Sequence, residues 1–325
     1  MRALTWTGGL LGLVLLVGLG LHADLAAMAQ ALRTAGWPLL ILVPWHFVFL
    51  ALYAVGWRAL LAQRDAAGQA GTAYLLWATW VREGVDRLLP LPTIGGGLLG
   101  VRLLGWRGVS AAVAGASVLA EMLMTLAATY VFVGIGLYLL HGTRPDAQDN
   151  RQALAIFALA LLMPVGTFAL LHSGSVLSRL QTLLHRWQPA LAAGAARLDD
   201  ELRVMLRATA PLTLSAGLQL LGMVTGALEV WLALRLFGHP VKAASALILE
   251  SLTLGIRSIA FFIPAGIGAQ EAGLVMFGHA LGISPELSLA VSMVKRIREV
   301  ACGVPALLSW HYAEGRRAQP AQYLK

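Results

Sequence analysis

The chain has little charge and almost no cysteine. Its 325 residues are 58% hydrophobic and only 12% charged, with Cys302 as the single cysteine. Soluble domains carry about 25% charged residues, so this composition excludes an ordinary soluble domain and predicts an integral membrane protein. One cysteine excludes an internal disulfide. No polar block is long enough for a separate domain, so we expect residues 1–325 to form one membrane domain.

Common catalytic and cofactor motifs are also missing. The chain has no GxxxxGK[ST] phosphate loop, no GxSxG nucleophile elbow, no HExxH motif and no Cys/His metal spacing. We therefore expect no cofactor, no metal and no catalytic residue. The net charge of +8 does not indicate a nucleic-acid partner, because the arginines flank apolar runs as topology signals do.

Long apolar runs predict the transmembrane helices, since a helix needs about 20 apolar residues to cross a bilayer. The runs are Ala3–Leu21, Trp37–Leu60, Val109–Leu140, Ala153–Leu171, Ala208–Phe237 and Pro285–Tyr312. Two more segments, 72–104 and 244–283, are apolar but broken by proline and glycine. A signal peptide is the alternative for the first run, but the small-x-small pattern Ala27–Ala29 lies far beyond it, which favours an uncleaved span.

Arginine placement predicts the orientation of these spans. The basic connections and ends carry Arg58, Arg64, Arg102, Arg107, Arg179, Arg186, Arg197, Arg203, Arg207, Arg316 and Arg317. Placing them in the cytoplasm gives an N-in, C-in protein of a bacterial inner membrane. Segment 72–104 must then enter and leave from the cytoplasmic side, and segment 244–283 from the outer side. The sequence therefore predicts an all-α polytopic membrane protein with about six full transmembrane helices and two oppositely oriented re-entrant helical hairpins.

The two broken segments resemble each other. Pro92–Ser110 reads PTIGGGLLGVRLLGWRGVS, and Pro264–Ser284 reads PAGIGAQEAGLVMFGHALGIS. Both run from proline through glycines into a short apolar helix and close on glycine, an aliphatic residue and serine, which predicts an inverted repeat. A broken backbone in a membrane must be buried in protein or line a wet cavity. The hairpin-tip residues are Pro92, Gly95, Gly96 and Gly97 in the first segment and Pro264, Gly266 and Gly268 in the second.

Charged residues near the second break are the candidates for substrate contact. Glu271 follows the proline and glycines at the start of a short helix, where it can cap that helix, contact a headgroup or exchange a proton. Glu250 and Arg257 lie two helical turns apart, so each needs another partner. Arg257 can bind an anion or Glu271, or can belong to a buried ion pair that only positions helices.

The last span adds a cluster of charges near the middle of the bilayer. Lys295, Arg296, Arg298 and Glu299 lie about 15 Å or more along the helix from Pro285. Lys295 and Glu299 are one turn apart and are expected to pair, which leaves an arginine in need of an anion. Glu121 and Glu229 are lone carboxylates in other spans, favoured as charge partners of Arg102 or Arg298 over proton carriers.

Two further segments have mainly structural interpretations. In the run 81–87, Arg82 and Asp86 are expected to pair, as are Glu83 and Arg87, because each pair is spaced i,i+4. Residues 175–207 show apolar side chains at helical spacing, which predicts an amphipathic helix at the cytoplasmic interface with a structural or lipid-sensing role.

With these residues in view, the chain resembles the lysylphosphatidylglycerol synthase transmembrane family. The proline–glycine hairpin followed by Glu271 and the earlier hairpin from Pro92 to Arg102 carry the likeness. Phe261–Trp310, with its PAGIGAQE loop and MVKRIRE cluster, most resembles a hopanoid-biosynthesis-associated branch. The resemblance implies a flippase-like protein that handles a membrane lipid, a hopanoid or a phospholipid, and that can work beside lipid-biosynthesis membrane proteins.

The sequence leaves several functions open. A lipid translocase is favoured, with Arg102, Glu250, Arg257, Glu271 and the charges of the last span lining its path. The alternatives are an intramembrane lipid-modifying enzyme, a scaffold for lipid-biosynthesis enzymes and a transporter of small polar solutes. They differ in a measurable product: a translocated lipid, a covalently altered lipid, none, or a moved solute.

Overall fold

The computed structural model describes residues 25–65, 68–89, 95–143, 158, 162, 166, 189–260 and 263–318. Within these ranges the chain is helical and has no strand. The helices are α1 Leu25–Ala35, α2 Leu42–Leu61, α3 Thr72–Leu88, α4 Gly95–Gly105, α5 Ala111–His141, α6 Pro189–Arg207, α7 Thr209–Leu236, α8 Ala243–Ile259, α9 Ala269–Ala280 and α10 Pro285–Ala318. The 3-10 turns Trp37–Ile41 and Pro264–Gly266 precede α2 and α9.

Three helical stretches are long and apolar enough to cross a membrane: Trp37–Leu61, Ala111–His141 and Thr209–Leu236. They coincide with the second, third and fifth predicted spans. The last predicted span lies in α10, which starts at Pro285 as expected and continues to Ala318. The first span, Pro92 and residues 175–188 lie outside the described residues, as does the fourth span apart from residues 158, 162 and 166.

Two three-helix units share one plan. Unit 1 comprises α3, α4 and α5, and unit 2 comprises α8, α9 and α10. In each unit a 17-residue helix is followed by a short helix of 11 or 12 residues and then by a long helix of 31 or 34 residues. The first two helices run antiparallel: the hydroxyl of Tyr74 donates to the Leu103 carbonyl at 2.6 Å in unit 1, and Gly273 packs on Thr253 in unit 2.

The turn into each long helix is also the same in both units. A glycine with positive φ, Gly108 at 82° and Gly282 at 76°, reverses the chain after the short helix. The hydroxyl oxygens of Ser110 and Ser284 then accept the backbone N–H of Val113 and Leu287. These bonds satisfy open donors at the first turn of α5 and α10. The shared Gly–aliphatic–Ser sequence therefore has a structural role in both units.

The units interlock, because the first helix of each packs on the long helix of the other. Gly84 of α3 lies against Gly303 of α10, and the indole N–H of Trp80 donates to the Cys302 carbonyl at 2.9 Å. In the equivalent crossing, Gly255 of α8 packs on Val133 of α5. Helices α2 and α7 run antiparallel beside this core, with the Trp45 indole N–H bonded to the Thr225 carbonyl at 3.1 Å.

Basic residues are concentrated at one end of the molecule. We name it the arginine-rich end. Helices α2, α4 and α10 end there, helices α3, α5 and α7 begin there, and α6 lies there as well. Its described cations are Arg58, Arg64, Arg102, Arg107, Arg197, Arg203, Arg207, Arg316 and Arg317. At the opposite end the arginines and lysines of the described residues are Arg33, Arg235 and Lys242. The α3–α4 hairpin opens at the arginine-rich end and the α8–α9 hairpin at the other, so the start of each short helix, at Gly96 and Ala269, lies inside the molecule.

Candidate functional site

The break between α8 and α9 is a tight loop of unusual backbone geometry. Ala265, Gly266 and Gly268 have φ of 54°, 61° and 79°, in the left-handed region. The reversal frees carbonyl groups that a continuous helix would use. Arg296 of α10 takes them up: its Nη1 donates to the Ala265 carbonyl at 2.9 Å and its Nη2 to the Gly266 carbonyl at 3.3 Å. An arginine side chain thus replaces the missing helical donors.

Glu271 fastens the same loop from the other side. Its Oε2 accepts the backbone N–H of Gly268 at 2.8 Å, which caps the start of α9. Its Oε1 accepts the Ser292 hydroxyl at 2.7 Å and Arg296 Nε at 3.2 Å. The residue is only 3% exposed, and both oxygens are used. Capping, one of the roles expected for Glu271, is therefore what its contacts provide in this conformation.

A chain of charged side chains leads from this loop to α2. Arg296 Nη1 donates to Glu299 at 3.0 Å, and Glu299 lies 3.7 Å from Arg87 of α3. Arg87 lies 3.8 Å from Glu83, and Glu83 is 2.7 Å from His46 Nε2. The acids and bases alternate along this chain, so each charge is offset by a neighbour. This series of charged side chains links α10, α3 and α2 through the interior.

Three further ion pairs surround it. Lys295 binds Glu250 of α8, Arg298 binds Glu229 of α7, and Arg82 of α3 binds Glu121 of α5. Together these buried and partly buried residues form what we name the buried ion-pair network. Its members are the acids Glu83, Glu121, Glu229, Glu250, Glu271 and Glu299 and the bases His46, Arg82, Arg87, Lys295, Arg296 and Arg298. Every carboxylate in it has a basic group within 4 Å, as buried charges require.

The first hairpin approaches the network through α4. The backbone N–H of Gly96 donates to Asp86 Oδ1 at 2.8 Å, and Arg82 Nε donates to the Gly96 carbonyl at 3.2 Å. Asp86 therefore satisfies a donor at the start of α4, as Glu271 does for α9. Gly95 and Gly97 lie in the same first turn of α4.

Arg257 stands apart electrostatically. It lies in the last turn of α8, half-buried, and its Nη1 donates to the side-chain oxygen of Gln270 at 2.7 Å. Its side chain lies against Gly266 of the loop. Within the described residues it has no carboxylate within 4 Å. The arginines and the lysine of the buried ion-pair network each have one. Arg257 is therefore the cation of this region whose charge an incoming anion can neutralise.

A small cleft borders the network. It has about 10 Å³ of water-accessible space, enough for about one water molecule, and is lined by His46, Trp80, Glu83, Gly84, Arg87, Glu299, Cys302 and Gly303. Ligand pockets commonly measure about 300–1,000 Å³. The cleft is thus too small for a phospholipid headgroup in this conformation. Among the described residues no group of three or more metal-binding side chains is arranged to hold a metal.

Several expected pairings have different partners in the structure. Lys295 pairs with Glu250 and not with Glu299, and Arg82 pairs with Glu121 and not with Asp86. These two predictions were wrong because side chains at i,i+4 spacing turn to a neighbouring helix when it offers a closer partner. The expected pairs Glu83–Arg87 and Arg298–Glu229 are present.

The structure brings together most of the predicted site residues but not Arg102. Its side chain is 58% exposed and pairs with Glu314 at the arginine-rich end. Sequence analysis missed His46, and it assigned Glu83 and Arg87 only to a pair within α3. The one available signal for His46 was a titratable residue within an apolar span, which marks a functional or paired group.

Comparison with known proteins gives one match. The family model described as lysylphosphatidylglycerol synthase TM region matches residues 7–305. This match covers both three-helix units as far as residue 305 of α10. No curated protein and no solved structure matches the chain.

Proposed function

Because the chain belongs to the lysylphosphatidylglycerol synthase TM region family, a membrane family related to lipid handling, we propose that it moves a phosphate-bearing lipid headgroup across the bilayer without altering it covalently. The observation that carries the proposal is Arg257, a cation with no carboxylate partner in the described structure, beside the inner end of a broken helix. Guanidinium groups bind phosphate oxygens through paired, charge-assisted hydrogen bonds. The proposed substrate contact is therefore a lipid phosphate on Arg257.

In this proposal the two hairpins are re-entrant and open to opposite leaflets. The arginine-rich end faces the cytoplasm of a bacterial cell, which places the C-terminus inside, and the N-terminus is placed inside by the charges of the sequence. A headgroup that enters beside one hairpin meets the network near the middle of the bilayer. Its acyl chains stay in the hydrocarbon of the bilayer. Moving the charged headgroup through that hydrocarbon would be far more costly than moving it through the network.

The network gives the headgroup replacement partners along this path. A phosphate that binds Arg257 can next compete with Glu271 for Arg296, and the released carboxylate keeps its bond from the Ser292 hydroxyl. The phosphate thus replaces the Glu271 carboxylate as the ion-pair partner of Arg296, and hydrogen bonds from the Ser292 hydroxyl and the Gly268 backbone N–H remain to stabilise the released carboxylate. Arg102 pairs with Glu314 at the arginine-rich end, away from this path, and has no part in the proposed transfer.

Reconstituted vesicles test the proposal. Purified protein is placed in liposomes with a fluorescent phosphatidylglycerol, and a membrane-impermeant quencher follows its appearance in the outer leaflet. We expect faster exchange than in protein-free liposomes, and a drop of about 10- to 150-fold for Arg257→Gln, as expected for a lost hydrogen bond to a charged group. Arg102→Gln is the matched control and should keep the wild-type rate.

Other outcomes separate the competing functions. Exchange no faster than in empty liposomes would refute translocation of this lipid and favour a scaffold. A new lipid mass in the extract would indicate an enzyme, and uptake of a soluble solute would indicate a solute transporter. A labelled hopanoid in the same assay tests the second lipid class that the sequence resemblance implied.

A further inference from the structure

A second group of arginines lies at the arginine-rich end, where α4 and α10 end side by side. We name Arg102, Arg107, Arg316 and Arg317 the terminal arginine cluster. All are exposed, and they belong to no ion pair of the buried network. The proposed translocation path does not use this cluster, so its role is a separate question.

Aromatic rings lie against three of these arginines, Arg107, Arg316 and Arg317. The guanidinium carbon of Arg107 lies 4.7 Å from the ring centroid of Tyr74, and that of Arg317 lies 4.7 Å from the Trp106 ring. Arg317 Nη2 also donates to the Trp106 carbonyl at 3.0 Å. Stacking holds a guanidinium by its face and leaves its in-plane N–H groups available to an acceptor.

The charge of the cluster is largely uncompensated. Glu314 pairs with Arg102. Within the described residues Arg107, Arg316 and Arg317 have no carboxylate within 4 Å. Three cations with ordered N–H groups at one surface form a site for a multivalent anion such as phosphate. A cluster that only set topology would not need ring stacking.

An apolar stripe on α10 leads to the cluster. Ile297, Val300, Val304, Leu308 and Tyr312 recur at intervals of three or four residues, and each is 44–64% exposed. Such spacing places them along one helix face over about 22 Å. The stripe ends at Tyr312, whose ring lies 4.6 Å from the guanidinium carbon of Arg316. An apolar track that ends at cations matches an acyl chain joined to a phosphate.

We propose that the terminal arginine cluster and the α10 stripe together form a binding site for one anionic phospholipid, with its phosphate on Arg107, Arg316 and Arg317. The acyl chain lies along the stripe, and the aromatic rings lie at headgroup depth, where tyrosine and tryptophan are favoured. Soluble phosphate or nucleic acid would use only the cations. A lipid uses both halves of the site, which is why the observations favour it over those partners.

Native mass spectrometry of nanodiscs tests the site. The full chain is placed in an equimolar mixture of phosphatidylglycerol and phosphatidylcholine, and the lipids retained on the released protein are counted. We expect phosphatidylglycerol to be enriched on the wild type. Arg107→Ala/Arg316→Ala/Arg317→Ala should lower that enrichment by about tenfold or more, since each basic residue near a membrane surface contributes up to about fivefold.

A control triple variant removes the same charge from the opposite end. Arg33→Ala/Arg235→Ala/Lys242→Ala includes an arginine stacked on an indole, because Arg235 lies 5.3 Å from the Trp231 ring. It should keep the wild-type enrichment. Equal loss in both triple variants would overturn the proposal, since a nonspecific charge effect would then explain the retention.

A second pair of measurements protects the test from misfolding and from other anions. Leu308→Gln alone should lower phosphatidylglycerol retention while the cluster is intact, and no loss would overturn the role of the stripe. Displacement of the lipid by millimolar glycerol phosphate or by a short oligonucleotide would show that the cations alone are enough for binding. That result would also overturn the proposed lipid site. The translocation rate of the same variants keeps this result separate from the proposed function, because loss of retention with unchanged exchange is the expected outcome.

Discussion

Units 1 and 2 have the same backbone plan but carry opposite charges at equivalent positions. Asp86 and Arg257 each lie fourteen residues after the start of their helix, at Thr72 and Ala243. Each side chain bonds to the first turn of the following short helix, Asp86 to Gly96 and Arg257 to Gln270. The side chain that contacts the short helix is therefore acidic in unit 1 and basic in unit 2.

The ion pairs within the units show the same exchange. Glu121 and Lys295 each lie ten residues after the start of their long helix. Each binds a residue on the first helix of its own unit, Arg82 in unit 1 and Glu250 in unit 2. The backbone repeat thus preserves where a charge is needed and leaves its sign free, because an ion pair is neutral whichever helix supplies the cation.

The largest expected effect tests whether the two intra-unit pairs are equivalent. Lys295→Met leaves Glu250 without its cation, and Arg82→Met does the same to Glu121, which is 4% exposed. Each variant should lose about 3–5 kcal/mol of stability, since an unpaired buried charge remains. The double variant Lys295→Met/Glu250→Leu should recover most of the loss. Thermal unfolding in detergent measures all of these, and a cost below about 1 kcal/mol in one unit would refute the equivalence.

A smaller effect is expected at the caps of the two short helices. Glu271→Gln loses the charge that Arg296 and the Gly268 amide share, so a loss of about 1.5–3 kcal/mol and of lipid exchange is expected with expression retained. Asp86→Asn keeps an oxygen that can accept from the Gly96 amide and should cost less. Unfolding curves and the vesicle assay give both values. Full exchange in Glu271→Gln would exclude a headgroup or proton role for this residue.

Glycines next to the two breaks should also differ in how well they tolerate alanine. Gly268 has φ of 79°, so Gly268→Ala should cost about 1–2 kcal/mol through the left-handed backbone alone. Gly97 is helical, and an added Cβ would lie at an ordinary 3.4 Å from Val118. Gly97→Ala should therefore stay within about 0.5 kcal/mol of the wild type, because a helix favours alanine. Equal melting temperatures for the two variants would contradict this account of the second break.

The smallest effect is expected at Arg102, whose pair with Glu314 is exposed. Arg102→Ala should change stability by less than about 1 kcal/mol, as exposed ion pairs do. Removing Arg298, 6% exposed and bonded to Glu229, supplies the contrast between a surface pair and a buried pair. A loss for Arg102→Ala as large as that for Arg298→Ala would mean that Arg102 supports the interior after all.

Local features of the sequence predicted much of the fold. Apolar runs longer than a bilayer gave the helices now seen as α2, α5 and α7, because hydropathy and helix length act within one segment. The paired proline–glycine breaks indicated the repeat, and the described helices have the same order and packing in both units. Crossing of a membrane by the hairpins, their orientation and the lipid substrate stay predictions.

The sequence by itself determined which segments are apolar, where they break and where arginines collect, since these depend on residues close together in the chain. The tertiary structure decided which charge meets which. Arg82 turns to α5, Lys295 turns to α8, and His46 pairs with Glu83 across two helices. Such pairings depend on distances between helices, and in an interior of low dielectric constant those distances control whether a buried charge is tolerated.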